Sequence, residues 1–223
     1  MPPLFLRSTL ATALLLGSLH AHAEPQTHTQ TPWSFSLGPA HVGFSTRADV
    51  SAGGMPMPGA NAQASENTTL GFEVGYALSP TWTARFLAGI PPQTTLTGTG
   101  ALAAAGVLGK ARYAPAVLSL TYRFNEYGAI RPYVGAGINY TVVYGEKDGF
   151  LSNVRASNAF GTVLQVGAEV PINASMFLSL DARKIYLKTQ VDGNLPAAMG
   201  NAPAHAELRL NPLIVTATVG WRF

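Results

Sequence analysis

The stretch RPYVGAGINYTVVYG, residues 131–145, sets Val134, Ala136, Ile138, Tyr140, Val142 and Tyr144 at alternate positions, with Gly135, Gly137, Asn139 and Thr141 between them. A period of two is the mark of a β-strand whose two faces meet different surroundings. Seven more segments carry it: 33–45, 68–78, 81–90, 116–124, 160–170, 175–188 and 208–223. Eight strands joined alternately by short turns and long connections predict an all-β fold, an eight-stranded antiparallel up-and-down barrel. The short turns near residues 79, 126 and 172 fall at one end, and the segments 46–67, 91–115, 145–158 and 189–206 are expected as long loops at the other.

Alternation alone does not say which face is outside. Charged residues make up 11% of the chain, far below the roughly 25% of ordinary soluble domains. Beyond its first residues no apolar run is long enough to cross a bilayer as a helix, yet a closed barrel also satisfies every backbone group within lipid. The sparse faces carry mostly Gly, Ala, Ser and Thr, which suit the crowded bore of an eight-stranded barrel. The charges on those faces, Glu73, Arg85, Arg123, Glu169, Asp181, Arg183 and Arg222, are of both signs and are expected to pair across the lumen. Aromatic residues gather at the short-turn end (Trp33, Tyr76, Trp82, Tyr122, Phe124, Trp221, Phe223), as an interfacial girdle would. The predicted fold is therefore a transmembrane β-barrel with its oily face toward lipid, its bare face making room for neighbours across a narrow bore.

Arg7, the apolar run 10–19 and the pattern Ala21-His22-Ala23 describe a secretory signal peptide over 1–23, cleaved after Ala23, with the barrel over 24–223. The chain has no cysteine, so thiol chemistry and disulfides are excluded. Without Arg7 the 14 Lys+Arg become 13 against 11 Asp+Glu, a balance of +2 that gives no reason to expect nucleic acid.

Two stretches resemble a known family. RPYVGAGINYT (131–141) and LRLNPLIVTATVGWRF (208–223) are similar to the signature and the closing strand of the OmpW family. The resemblance implies an eight-stranded barrel of the Gram-negative outer membrane, surrounded by outer-membrane lipid, with a hydrophobic tunnel for small hydrophobic solutes and sideways release through the wall. It also implies an assembly signal at Trp221 and Phe223 for the barrel-assembly machinery.

The residues themselves add three expectations. The long loops are unusually apolar, and Met55, Met57, Leu102, Leu108, Leu195 and Met199 are candidates for a hydrophobic entrance; the alternative is that they pack on one another or lie on the membrane surface. The lumen charges serve first as a structural network, and also as a plug that directs a passenger sideways. Parity changes at Gly38-Pro39 and Asn211-Pro212 predict bulges in the first and last strands, and those four residues are the candidate lateral opening, since Pro cannot donate to the ladder. An enzyme is disfavoured: His28, His41 and His205 have no convincing catalytic partners, with His41 expected on the lumen side, and no metal-ligand spacing or phosphate loop appears. No cofactor is expected. The remaining alternative is a non-conducting receptor, adhesin or structural component, and the sequence does not set the oligomeric state.

Overall fold

The computed structural model describes residues 32–124 and 129–223; the expected leader, His28 and the turn near residue 126 lie outside them. In chain order the strands are β1 (Trp33–Gly43), β2 (Arg47–Ala52), β3 (Met55–Pro56), β4 (Ala60–Ala64), β5 (Asn67–Ala77), β6 (Trp82–Gly89), β7 (Gln93–Gly100), β8 (Val107–Arg123), β9 (Arg131–Asp148), β10 (Ser152–Ala156), β11 (Ala159–Pro171), β12 (Met176–Asn194), β13 (Pro203–Arg209) and β14 (Leu213–Arg222). β1, β5, β6, β8, β9, β11, β12 and β14 pair antiparallel in that order, and β14 returns to β1, closing an eight-stranded barrel.

The short turns are tied by side chains that mimic backbone acceptors. Ser79 Oγ accepts from the N–H of Trp82 at 3.0 Å, and Asn173 Oδ1 accepts from those of Ser175 and Met176 at 2.9 and 2.8 Å.

The four segments expected as long loops are mostly strand. β2, β4, β7, β10 and β13, with the ends of β8, β9 and β12, form a second tier stacked on the first. β12 runs for 19 residues without interruption, about 60 Å of strand where about ten residues suffice to cross a bilayer.

The two tiers obey opposite rules. In the lower tier Leu70, Phe86, Leu118, Ile138, Leu164 and Leu180 face outward while Ser36, Thr83, Ser119, Thr121 and Thr218 are buried inside. In the upper tier Ala48, Ala62, Leu108, Val191 and Leu208 are buried together inside, and polar residues such as Asp49, Gln63, Asp192, His205 and Arg209 face out. The first tier stands in lipid around a filling that is polar below and turns apolar above, at Leu87, Val117 and Val163; the second stands in water around an apolar one.

That inversion corrects the predicted bulges. β1 keeps one register with β5 through Gly38↔Gly71 and Pro39↔Leu70, and one register with β14 on both sides of the same dipeptide. Ala40 and Val42 look inward because the lumen becomes apolar there, and His41 points outward, 3.0 Å from Thr68 Oγ1 and 3.6 Å from Glu66. Asn211, at φ 37°, does separate β13 from β14, but the two keep a common register against β12 and inward Leu208 continues into inward Ile214.

Candidate functional site

The lower lumen is closed by a web of ions. Arg85 reaches Glu73 at 2.8 Å, Glu169 at 2.6 Å and Thr121 Oγ1 at 3.1 Å. Arg183 pairs with Glu73 and lies 3.2 Å from Asp181, while Arg222 pairs with Glu169 and Arg123 stands 3.9 Å from it. All seven charges expected in the lumen are thus brought together.

Four residues not singled out from the sequence complete the web. Gln165 donates to Asp181 at 2.6 Å and accepts from Ser119 at 2.5 Å, Tyr133 donates to Asp181 at 2.7 Å, and the rings of Tyr133 and Phe177 lie 4.3 Å beneath Arg85 and Arg222. Strand parity was the available signal, since Tyr133 and Phe177 fall on the sparse faces. Two glycines make room for them: a Cβ at Gly167 would fall 2.4 Å from Tyr133 Oη, and one at Gly220 2.2 Å from the Phe177 ring. Gly135 and Gly137 do something other than clear the bore. A Cβ on either would meet the adjacent strand, 2.6 Å from the Leu120 carbonyl and 2.2 Å from that of Leu118. They allow β8 and β9 to coil tightly on each other.

Above the web the lumen is apolar. Val42, Tyr113, Val117, Val163, Ile185, Leu187 and Ile214 form one buried cluster. Five of them, Val42, Tyr113, Ile185, Leu187 and Ile214, line a cavity of about 100 Å³ whose upper wall is Leu96, Leu108, Leu151, Val191 and Leu208. The upper-wall residues border a smaller cavity at the outer end, lined also by Met57, Leu102 and Leu195. Of the expected entrance residues, Met57, Leu102, Leu108 and Leu195 line the outer cavity, and Leu108 the main one as well; Met55 and Met199 are 71% and 58% exposed and line neither.

A third cavity shares Val42, Tyr113, Pro115 and Ile214 with the main one and extends to Gly89, Ile90 and Pro92 in the wall. There the sheet is interrupted: between the pairs Leu87↔Val117 and Gln93↔Arg112 no cross-strand pair forms, and Tyr113 N–H to Pro92 C=O, at 3.3 Å, spans the gap. Pro91, Pro92 and Pro115 have no N–H to give. By contrast the Asn211-Pro212 step is stitched to its neighbours: Ile185 N–H donates to Pro212 C=O at 2.9 Å, Lys184 Nζ to Asn211 C=O at 2.6 Å, and Ser45 N–H to Leu210 C=O at 3.1 Å. The sequence signal for the gap, three prolines over 91–115, was present but lay in a segment expected to be a loop.

The model of the OmpW family matches residues 38–223. The dibenzothiophene metabolism operon protein PahQ of Pseudomonas aeruginosa is 39% identical over 213 residues, covering 95% of this chain and 98% of its own. Outer membrane protein AlkL of Ectopseudomonas oleovorans is 28% identical over 225 residues, covering 100% of this chain and 96% of its own. Among solved structures, the outer membrane protein OprG of Pseudomonas aeruginosa has the same fold, with a TM-score of 0.79 at 22% identity over 86% of this chain and 95% of that one. Inside-out below, right-side-out above and matched by the family model from residue 38 to its last, the chain belongs to the OmpW family of outer-membrane proteins.

Proposed function

We propose that this outer-membrane barrel passes small hydrophobic molecules passively and releases them sideways into the bilayer. The observation that carries the proposal is a series of three adjoining apolar cavities with shared walls, from Met57, Leu102 and Leu195 at the outer end, through the one around Leu108 and Ile185, to Ile90, Pro92 and Pro115 in the wall. A dry apolar cavity of this order of size accepts a molecule such as benzene.

Energetics favour the side exit. Going straight down means separating buried ions, and a buried charge left without its partner costs about 3–5 kcal/mol. Leaving at residues 88–92 means parting strands that already lack their ladder bonds, each of which is worth only about 1 kcal/mol net. The same comparison ranks this gap above Gly38, Pro39, Asn211 and Pro212, the last two of which are held by hydrogen bonds to β12. PahQ, whose name ties it to dibenzothiophene metabolism, supports an aromatic hydrocarbon or its sulfur analogue as the passenger. Trp221 and Phe223, at the end of the closing strand, are assigned to recognition by the assembly machinery.

The test uses membranes with a lipopolysaccharide outer leaflet, because phospholipid bilayers already admit apolar solutes. Protein-containing membranes take up dibenzothiophene faster than protein-free ones on this proposal. Equal rates, with the barrel folded, would instead leave the receptor, adhesin or structural role.

A further inference from the structure

Strand register sets three cations side by side on the outer wall. Lys188 of β12 pairs with Arg209 of β13, and Arg209 pairs with Arg47 of β2. All three point outward, with the Lys188 and Arg209 side chains 60% and 47% exposed. Directly opposed residues on one face have Cβ atoms about 5 Å apart, so like charges there repel unless an anion lies among them. The protein supplies only part of that anion, two carboxylates for three cations. Lys188 meets Glu207 at 2.8 Å and Arg209 meets Asp49 only at 4.0 Å, while Arg47 has no ion pair among the described residues.

The height of the row says what the anion is. On β12 the outward positions from Met176 through Leu178, Leu180 and Ala182 to Tyr186 are apolar but for Lys184, which donates to the Asn211 carbonyl. Met176 to Tyr186 is about 33 Å along the strand, and at a tilt of about 40° it covers about 25 Å of height, the thickness of a barrel's lipid-facing band. Tyr186 stands at its upper border as an interfacial aromatic does, and Lys188 is the next outward residue. On β14 and β13 the same order recurs, with Val215 and Leu213 below and Arg209 above. Guanidinium and ammonium groups at the boundary between acyl chains and water meet phosphates, and Arg binds phosphate in two-pronged fashion.

We propose that Lys188, Arg209 and Arg47 form a binding site for the phosphorylated headgroup of an outer-leaflet glycolipid, with Tyr186 packed beside the sugar or the uppermost methylenes. The site fixes the barrel's depth in the leaflet and its orientation relative to neighbouring lipids. It is separate from the passage inside, so its failure leaves the uptake reading untouched.

The experiment titrates the detergent-solubilised, folded barrel with bisphosphorylated lipid A by native mass spectrometry, beside dephosphorylated lipid A and inorganic pyrophosphate. Folding is verified for every variant by heat-dependent gel migration. Lys188→Gln with Arg209→Gln is compared with Lys110→Gln/Lys147→Gln, a pair also opposed across strands but on β8 and β9, which changes net charge equally. The expected result is that the first pair weakens binding of lipid A about 10- to 30-fold, that the second changes it by less than about threefold, and that the dephosphorylated lipid binds no better than the first variant does. Three results overturn the proposal: equal loss in both variants, which is general charge attraction; equal binding of the dephosphorylated lipid; or displacement of lipid A by equimolar pyrophosphate, which makes the row a free-phosphate site.

Discussion

Arg183 illustrates what a single side chain does in this lumen. It is 1% exposed and lies against both Glu73 and Asp181, so Arg183→Met leaves buried Asp181 without its cation and Glu73 with Arg85 alone. We expect a loss of about 3–5 kcal/mol, seen as a lower urea midpoint for unfolding from detergent micelles. Leu108 and Met55 separate the passage from its surroundings. Leu108 is 4% exposed in the bore whereas Met55 faces solvent, so Leu108→Asp should cut uptake by at least about tenfold, equivalent to 1.4 kcal/mol, while Met55→Asp leaves it unchanged. Equal effects of the two would dissociate uptake from the bore.

At the scale of strands and turns, the gap beside β8 is open to a covalent test because the chain has no cysteine of its own. Continuing the β6–β8 register past Leu87↔Val117 puts residue 88 opposite 116, so a disulfide from Ala88→Cys with Ala116→Cys closes the wall there. We expect delivery into the bilayer to slow and to recover on reduction, whereas Pro39→Cys with Ala217→Cys, joining β1 to β14, has no effect. The connection after β9 supplies a pH test outside the membrane. Asp148 accepts from the N–H groups of Val154 and Asn153, both at 3.0 Å, and these bonds hold its carboxyl below the usual carboxylate range. A depressed pKa stabilises the turn above the ordinary Asp value and loses that effect as pH falls through the lowered one. Protease clipping of 149–152 is therefore expected to rise only in acid for the native chain, and already at neutral pH for Asp148→Ala.

The lower tier was legible in the sequence because lipid outside and a narrow polar bore inside force a strict alternation, as 68–78 and 131–144 show. The upper tier was harder to see. Its strands alternate with the opposite phase, as in Ala204, His205, Ala206, Glu207, Leu208, Arg209, where the apolar residues turn inward. A chain that inverts its phase within one strand looks like a bulge at Gly38-Pro39 and like a loop at 189–206. The charge web could be listed residue by residue from parity, but which Arg meets which carboxylate depends on barrel closure, a contact such as Arg85 to Glu169 being 84 positions apart.

For the molecule as a whole, a bore dry above and ionically sealed below is a poor conductor of ions. Planar-bilayer recordings are expected to show no resolved conductance steps while apolar uptake proceeds, and Glu73→Ala with Glu169→Ala, which strips Arg85 of both its carboxylates, is expected to introduce them. The prolines at 91, 92 and 115 also bear on how barrels coexist in a crowded leaflet. A parted sheet normally offers fresh N–H and C=O groups to any strand nearby. On the proposed side exit, the parted margins would be short of donors, leaving an adjacent barrel few hooks by which to zip itself on.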